Sequence, residues 1–239
     1  MYDAFGLYVD GAWRGASDGG TAPVLSPVSE RPLGEVPLAT LADTAEALDA
    51  AERGLAAWRR VGAFARADAM HRIADAMLAR RNEGARMIAL ETGKPLAQAE
   101  REWGLSTDQF RWYAEEARRV AGRLVESRVP GGRFEVTREP VGICAAFTAW
   151  NFPAALVARK VAPALAAGCS TVVRPSSQTP GVAMVMVDCL RAAGLADGAV
   201  NLVVGSTGAT YGPIMADTRV QGQPDRIDPR GPADDPRRR

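Results

Sequence analysis

Two short segments of this chain combine residue types that could do chemistry. Trp150-Asn151-Phe152-Pro153 puts a carboxamide where an apolar strand gives way to a helix. Open α/β sheets bind their ligands at that carboxyl edge. An amide held there can donate to an oxygen that gains charge during a reaction. The same residues also suit a helix cap at Asn151 with Trp150 packed beside it. Arg174-Pro175-Ser176-Ser177 follows the next strand. A charged donor in that place holds ribose hydroxyls or grips phosphate, or the two serines form an ordinary capping loop. Three cysteines and one histidine complete the inventory. Cys144 falls in an apolar strand, Cys169 follows a glycine and Cys189 lies within a helix, so all three read as buried, inert thiols. His71, in the second helix, reads as a surface or packed residue, and no zinc-type spacing exists.

These residues need elements to position them. Leu7-Tyr8-Val9, Asp10-Gly11 and Ala12-Trp13-Arg14 form a hairpin signal, since Asp-Gly supplies the positive φ values of a type I′ turn. Residues 22–39 read as strand and loop. Thr40 opens a helical stretch, a second helix runs from Ala63 to Arg81, and a third ends at Gly93, a residue suited to a left-handed cap. Pro95 suits the first turn of a long helix, whose stripe runs from Leu96 through Trp103 and Phe110 to Ala121 and Leu124. From Glu139 the pattern alternates strand and helix. Residues 141–147 read as a strand buried on both faces, then a helix from Asn151-Phe152-Pro153 to Gly168, then a strand at 170–173. Thr179 caps and Pro180 opens the next helix, closed by Gly194; a strand at 200–204 and a short helical stretch to Met215 follow. Three such strands imply parallel pairing with right-handed crossovers.

Composition bounds the class. The 239 residues are 47% hydrophobic with a net charge of +1, which is ordinary globular usage without an electrostatic footprint for nucleic acid or an anionic membrane. No apolar run reaches the ~18 residues of a membrane span, and the first twenty residues show no secretory signal. Few cysteines and no framework point to a reducing, cytoplasmic compartment. Residues 221–239, with five Arg, four Asp and four Pro, cannot bury a face.

Leu90-Glu91-Thr92-Gly93-Lys94-Pro95-Leu96, Ala149-Trp150-Asn151-Phe152-Pro153, the run Lys160 to Cys169, and Arg174 to Pro180 occur in that order. Together they closely resemble the N-terminal half of the NAD(P)-dependent aldehyde dehydrogenases, in particular the succinate-semialdehyde dehydrogenases, from about Leu7 to Val220. The resemblance implies an incomplete doubly wound parallel sheet, a Rossmann variant, with a helical N-terminal segment and a short extended arm. Residues 1–135 would form the arm and helical part, 136–220 a partial βαβαβ unit, and 221–239 a disordered or out-of-frame tail. It implies that Asn151 donates to the aldehyde oxygen and that Arg159 binds a distal substrate carboxylate. Phe147, Thr148, Trp150, Arg174, Ser176 and Ser177 would contact NADP or NAD. NAD-preferring members often carry Glu where Ser177 stands, so its absence favours NADP. Complete members are homo-oligomers acting on small aldehydes.

The chain also departs from that family. Its members place a glycine-rich GSTxxG segment, a general-base glutamate and the nucleophilic cysteine in a second half that this sequence lacks. Two readings follow. One is an aldehyde dehydrogenase by descent, truncated or mis-framed and inactive alone. The other is a non-catalytic nucleotide-binding or subunit-interaction protein, which half a parallel sheet with an open central strand makes strained. Back-translation of Pro224 to Asp235, read one base later, permits Thr-Gly-Ser-Thr-Pro-Val-Gly-Arg, so a frameshift is expected. The nucleotide sequence there decides between the two readings.

Overall fold

Asp10 (φ 52°) and Gly11 (φ 84°) turn the chain with both residues left-handed, as a type I′ hairpin requires. They join β1 (Leu7–Val9) to β2 (Ala12–Arg14). The computed structural model describes residue 2 and residues 4–222. The tail expected from residue 221 differs at its start, where Gln221 and Gly222 end a strand lying along Ile143 and Cys144; its remainder from residue 223, and with it the frameshift, lies outside the described residues. A second hairpin, β3 (Thr21–Leu25) and β4 (Pro32–Pro37), leads into α1 (Leu41–Trp58). Thr40 and Asp43 form a reciprocal capping box at its start. Then come α2 (Ala63–Ala79), α3 (Arg81–Thr92), which ends on left-handed Gly93, and α4 (Leu96–Ala117).

The helical stripe expected to reach Leu124 stops at Ala117. Leu124 lies instead in β5 (Arg123–Glu126), paired antiparallel with β6 (Arg133–Val136), and is 71% exposed. Pro95 occupies the cap position of α4 and not its first turn. The alternating half comprises β7 (Ile143–Phe147), α5 (Pro153–Ala167), β8 (Ser170–Arg174), α6 (Pro180–Ala192) and β9 (Val200–Leu202). β7 is shorter than expected, because Val141 is exposed and Gly142 adopts φ 129°. β9 likewise stops two residues early. After β9 a π-helical turn (Thr207–Tyr211) runs into α7 (Gly212–Ala216), and β10 (Val220–Gly222) follows.

One six-stranded sheet has the order β10-β7-β8-β9-β1-β2. Its first four strands are parallel, and the β1–β2 hairpin closes the far edge antiparallel. Side chains alternate between two cores, as a sheet buried on both faces demands. Ile143, Ala145, Val172 and Val203 join α1 and Ile214 on one face. Ala146, Val173 and Leu202 join the larger core of α2 to α6 on the other. The sheet is therefore doubly wound, although β7 does not have the open edge anticipated for it. After α7 the chain returns and lays β10 along β7, with Val220 opposite Ile143. Strand order thus reverses between β7 and β10, so the crevice beyond the carboxyl end of β7 is the topological switch point, where such sheets bind ligands.

Candidate functional site

The turn after β7 stands at that crevice, and a distant pair of charges holds it. Lys94, just before α4, pairs with Glu102 on α4; the two side chains are only 14% and 3% exposed. Glu102 accepts from the backbone N–H groups of Ala154 (3.0 Å) and Ala155 (3.3 Å), capping the start of α5. Lys94 Nζ also donates to the Asn151 carbonyl at 3.2 Å and lies 4.3 Å from the Phe152 ring centroid. Lys160, about two turns into α5, donates to the Phe147 carbonyl at 2.7 Å. The capping role open to Asn151 in the sequence is therefore taken by Glu102. Among the described residues the Asn151 carboxamide has no hydrogen-bond partner, and Asn151 is exposed. Trp150, 54% exposed, is not packed away either.

The turn after β8 is built differently. Arg174 is half-buried, and desolvation draws its guanidinium below the ordinary value. It donates to the Gly205 carbonyl (3.0 Å) and the Thr210 hydroxyl (3.3 Å), which ties β8 to the π-helical turn. Thr148 donates its N–H to the Arg174 carbonyl at 3.2 Å. Phe147 stacks against Tyr211 with centroids 4.8 Å apart, so Tyr211 joins this edge although nothing in its local sequence marks it. Ser176 Oγ accepts from the Gln178 N–H at 3.2 Å. Ser177 and Gln178 share a cavity of about 690 Å³ with Trp150, Glu91 and Leu25.

Thr179 does not cap α6. Its buried hydroxyl has no partner, and Glu91 from α3 accepts from Gly181 (2.7 Å) and Val182 (3.0 Å) in its stead. Phe147, Thr148, Trp150, Asn151, Arg174, Ser176 and Ser177 thus share the carboxyl edge of the sheet.

Arg159 lies on α5, in its second turn, and is exposed. It lines a separate cavity of about 470 Å³ between α4 and α5, together with Phe152, Leu156, Leu105, Gln109 and Arg101. The cysteines lie elsewhere. Cys169 precedes β8, and Cys144 is the second residue of β7, so both sit toward the amino edge of the sheet. Cys144 is only partly and not fully buried; its side chain meets that of Cys169, and this contact together with burial pushes its thiol up. That contact holds the Cys169 thiol down. Burial pushes Cys189 up to about 11. His71 is partly exposed and contacts Glu115 at 3.1 Å. Among the described residues no helix is long and apolar enough to cross a membrane, and no group of His, Cys, Asp and Glu could hold a metal.

Residues 13–222 match the aldehyde dehydrogenase family. The chain belongs to that family. The NADP(+)-type succinate-semialdehyde dehydrogenase GabD of Escherichia coli is 38% identical over 213 residues, covering 89% of this chain and 44% of that protein. The 3-sulfolactaldehyde dehydrogenase of Pseudomonas putida is 42% identical over 199 residues, 83% of this chain and 41% of the relative. The crystal structure of succinate-semialdehyde dehydrogenase from Burkholderia pseudomallei superposes with a TM-score of 0.88 at 39% identity, covering 90% of this chain and 45% of that one. This aldehyde dehydrogenase chain therefore spans less than half the length of the relatives it matches, and corresponds to their N-terminal part.

Proposed function

We propose that this chain is the dinucleotide-binding, aldehyde-orienting part of an NAD(P)-dependent oxidoreductase acting on a short aldehyde with an anionic far end. The observation that carries this reading is the placement of the uncommitted Asn151 carboxamide in the turn just before α5, beside the switch point, with Arg159 on the helix that follows. Arg159 stands nearly two turns, roughly 9 Å, beyond the start of α5 at Pro153. Helical side chains lean toward the N-terminus, so the Arg159 side chain leans back toward the turn that bears Asn151. Asn151, uncommitted and held by Lys94 and Glu102, would donate to the aldehyde oxygen as it gains charge. Arg159 would pair with the terminal anion. Relatives named for a semialdehyde of a dicarboxylic acid and for a sulfonate-bearing aldehyde support an anionic end.

The residues at the carboxyl edge fit a nicotinamide dinucleotide, which when bound supplies the hydride acceptor. Trp150 and Ser177 face a cavity large enough for part of one, and no carboxylate at position 177 repels a 2′-phosphate. Arg174 would act by holding the 205–210 segment in place as much as by its charge. Residues 1–135 and 136–220 are read as two parts of this one cofactor-binding unit. The thiols of Cys144 and Cys169, toward the opposite edge, and of buried Cys189 are not placed to attack an aldehyde held at Asn151. We therefore expect NADP+ to bind the purified 239-residue chain, read by tryptophan fluorescence, without aldehyde-dependent NADPH formation. Ser177→Glu should weaken NADP+ about tenfold or more and NAD+ much less, since it sets a like charge beside the 2′-phosphate. Absence of binding by either dinucleotide would sink this reading.

A further inference from the structure

The cavity between α4 and α5 holds a second arginine that the site above does not use. Arg101 on α4 and Arg159 on α5 line it from opposite walls. Leu105, Phe152 and Leu156 form its apolar surface. Lys94 also reaches this cavity but is neutralised by Glu102. Among the described residues, neither Arg101 nor Arg159 has a hydrogen bond or an ion pair. By contrast Arg80, Arg191 and Arg219 are each bound to carboxylates. Two guanidinium groups without a carboxylate partner among the described residues thus share one partly apolar cleft, which leaves both free to pair with an anion.

We infer that Arg101 is a second anion-recognition residue, and that the pair selects a terminal group with three acceptor oxygens, a sulfonate, over a planar carboxylate. A guanidinium fork matches two oxygens in one plane, so a carboxylate is satisfied by Arg159 alone. The third oxygen of a tetrahedral sulfonate points out of that plane and is left for a donor on the facing wall. Arg101 is that donor. The inference rests on the proposed role of Arg159 and extends it from the presence of a terminal anion to its shape.

The test uses unreactive probes on the 239-residue chain: propane-1-sulfonate, butanoate and the neutral butyramide. Arginine Nε–Hε resonances report binding directly at each side chain. The wild-type chain should bind the sulfonate about threefold or more tighter than butanoate, and both more tightly than butyramide. Arg101→Gln should bring the sulfonate-to-carboxylate ratio to about one while shifting butanoate affinity less than about twofold. Arg159→Gln should weaken both anions by about fivefold or more. Arg101→Lys, which keeps the charge without the fork, should lower the ratio part-way and serves if the glutamine variant folds poorly. Arg111→Gln, farther along α4 and outside this cavity, should leave the ratio alone. A ratio unchanged by Arg101→Gln, or reduced equally by Arg111→Gln, overturns the inference and leaves the role of Arg159 standing. Anions that bind the wild type no better than butyramide overturn both.

Discussion

The two strand-to-helix turns at the carboxyl edge solve one problem with different chemistry. Each helix opens with proline, Pro153 for α5 and Pro180 for α6. In each, a glutamate from a distant helix caps the first free N–H groups: Glu102 for α5, Glu91 for α6. Glu102 is matched by the full positive charge of Lys94. Glu91 has only the neutral phenol of Tyr2 beside it and is 3% exposed. Three hydrogen bonds favour its ionised form, but burial outweighs them and pushes its carboxyl up to about 7. A cap with its own cation recovers part of that burial cost through the attraction between the two charges. The turn bearing Asn151 has the cation, and the turn bearing Ser177 does not.

Removing the ion-paired cap should have the largest effect. Glu102→Ala leaves Lys94 without a counter-charge in a nearly dry site and exposes two helix N–H groups. We expect a loss of about 3–5 kcal/mol in denaturant unfolding. Lys94→Met combined with Glu102→Leu should recover the charge part of that loss but not the capping part, leaving about 1–3 kcal/mol. If the double variant is as destabilised as Glu102→Ala, the unpaired charge is not the source of the effect. If it is fully restored, the cap is not.

The second turn should reveal itself through pH. Because the folded carboxyl of Glu91 titrates above its unfolded value of 4.5, protons favour the folded state. Its contribution is fully present below about pH 4.5 and is lost as pH rises through about 7, a swing on the order of 3 kcal/mol. Glu91→Gln does not titrate. Its stability deficit against the wild type, followed by thermal melts, should therefore be larger at pH 5 than at pH 8. A gap that is constant with pH, or that widens toward pH 8, would show that burial does not raise the Glu91 carboxyl.

Much of this architecture was legible because it is coded locally. The Asp10-Gly11 hairpin, the Thr40 cap and the glycines that end α3 and α5 each depend on a few adjacent residues. The carboxyl-edge position of Asn151 followed from strand and helix alternation. What escaped the sequence depends on partners far along the chain. β10 is three residues long, without apolar alternation, and is a strand only because β7 offers it an edge. β5 was hidden inside a helical stripe that Ala121 and Leu124 happened to continue. Gly122 is the residue that betrays it, since a Cβ there would meet the Val136 carbonyl at 2.2 Å. The glutamate caps act across 52 and 90 positions, so no local motif announces them. Arg101 escaped notice because a helical arginine is ordinarily solvated, and only the packing of α4 on α5 brings it to the cavity of Arg159.

The smallest expected effect separates a residue that looks like a cap from one that is a cap. Thr40 and Thr179 both precede helices, and on residue type alone both qualify. Thr40 accepts from the Asp43 N–H at 3.1 Å and takes part in the reciprocal box. Thr179 has a hydroxyl buried without a partner, because Glu91 already holds the N–H groups it would have served. Exchanging the hydroxyl for a methyl should thus act oppositely at the two sites. Thr40→Val should cost about 1–2 kcal/mol, the ordinary loss of a working cap. Thr179→Val swaps an unsatisfied polar atom for an apolar one of similar shape, so it should be neutral or stabilising by up to about 1 kcal/mol. Both are read as shifts in the denaturant midpoint at unchanged slope. The comparison gains a further arm in the Glu91→Ala background, where the N–H groups of Gly181 and Val182 are freed and Thr179 can take them. There Thr179→Val should become destabilising, a reversal of sign that an uninvolved threonine would not show.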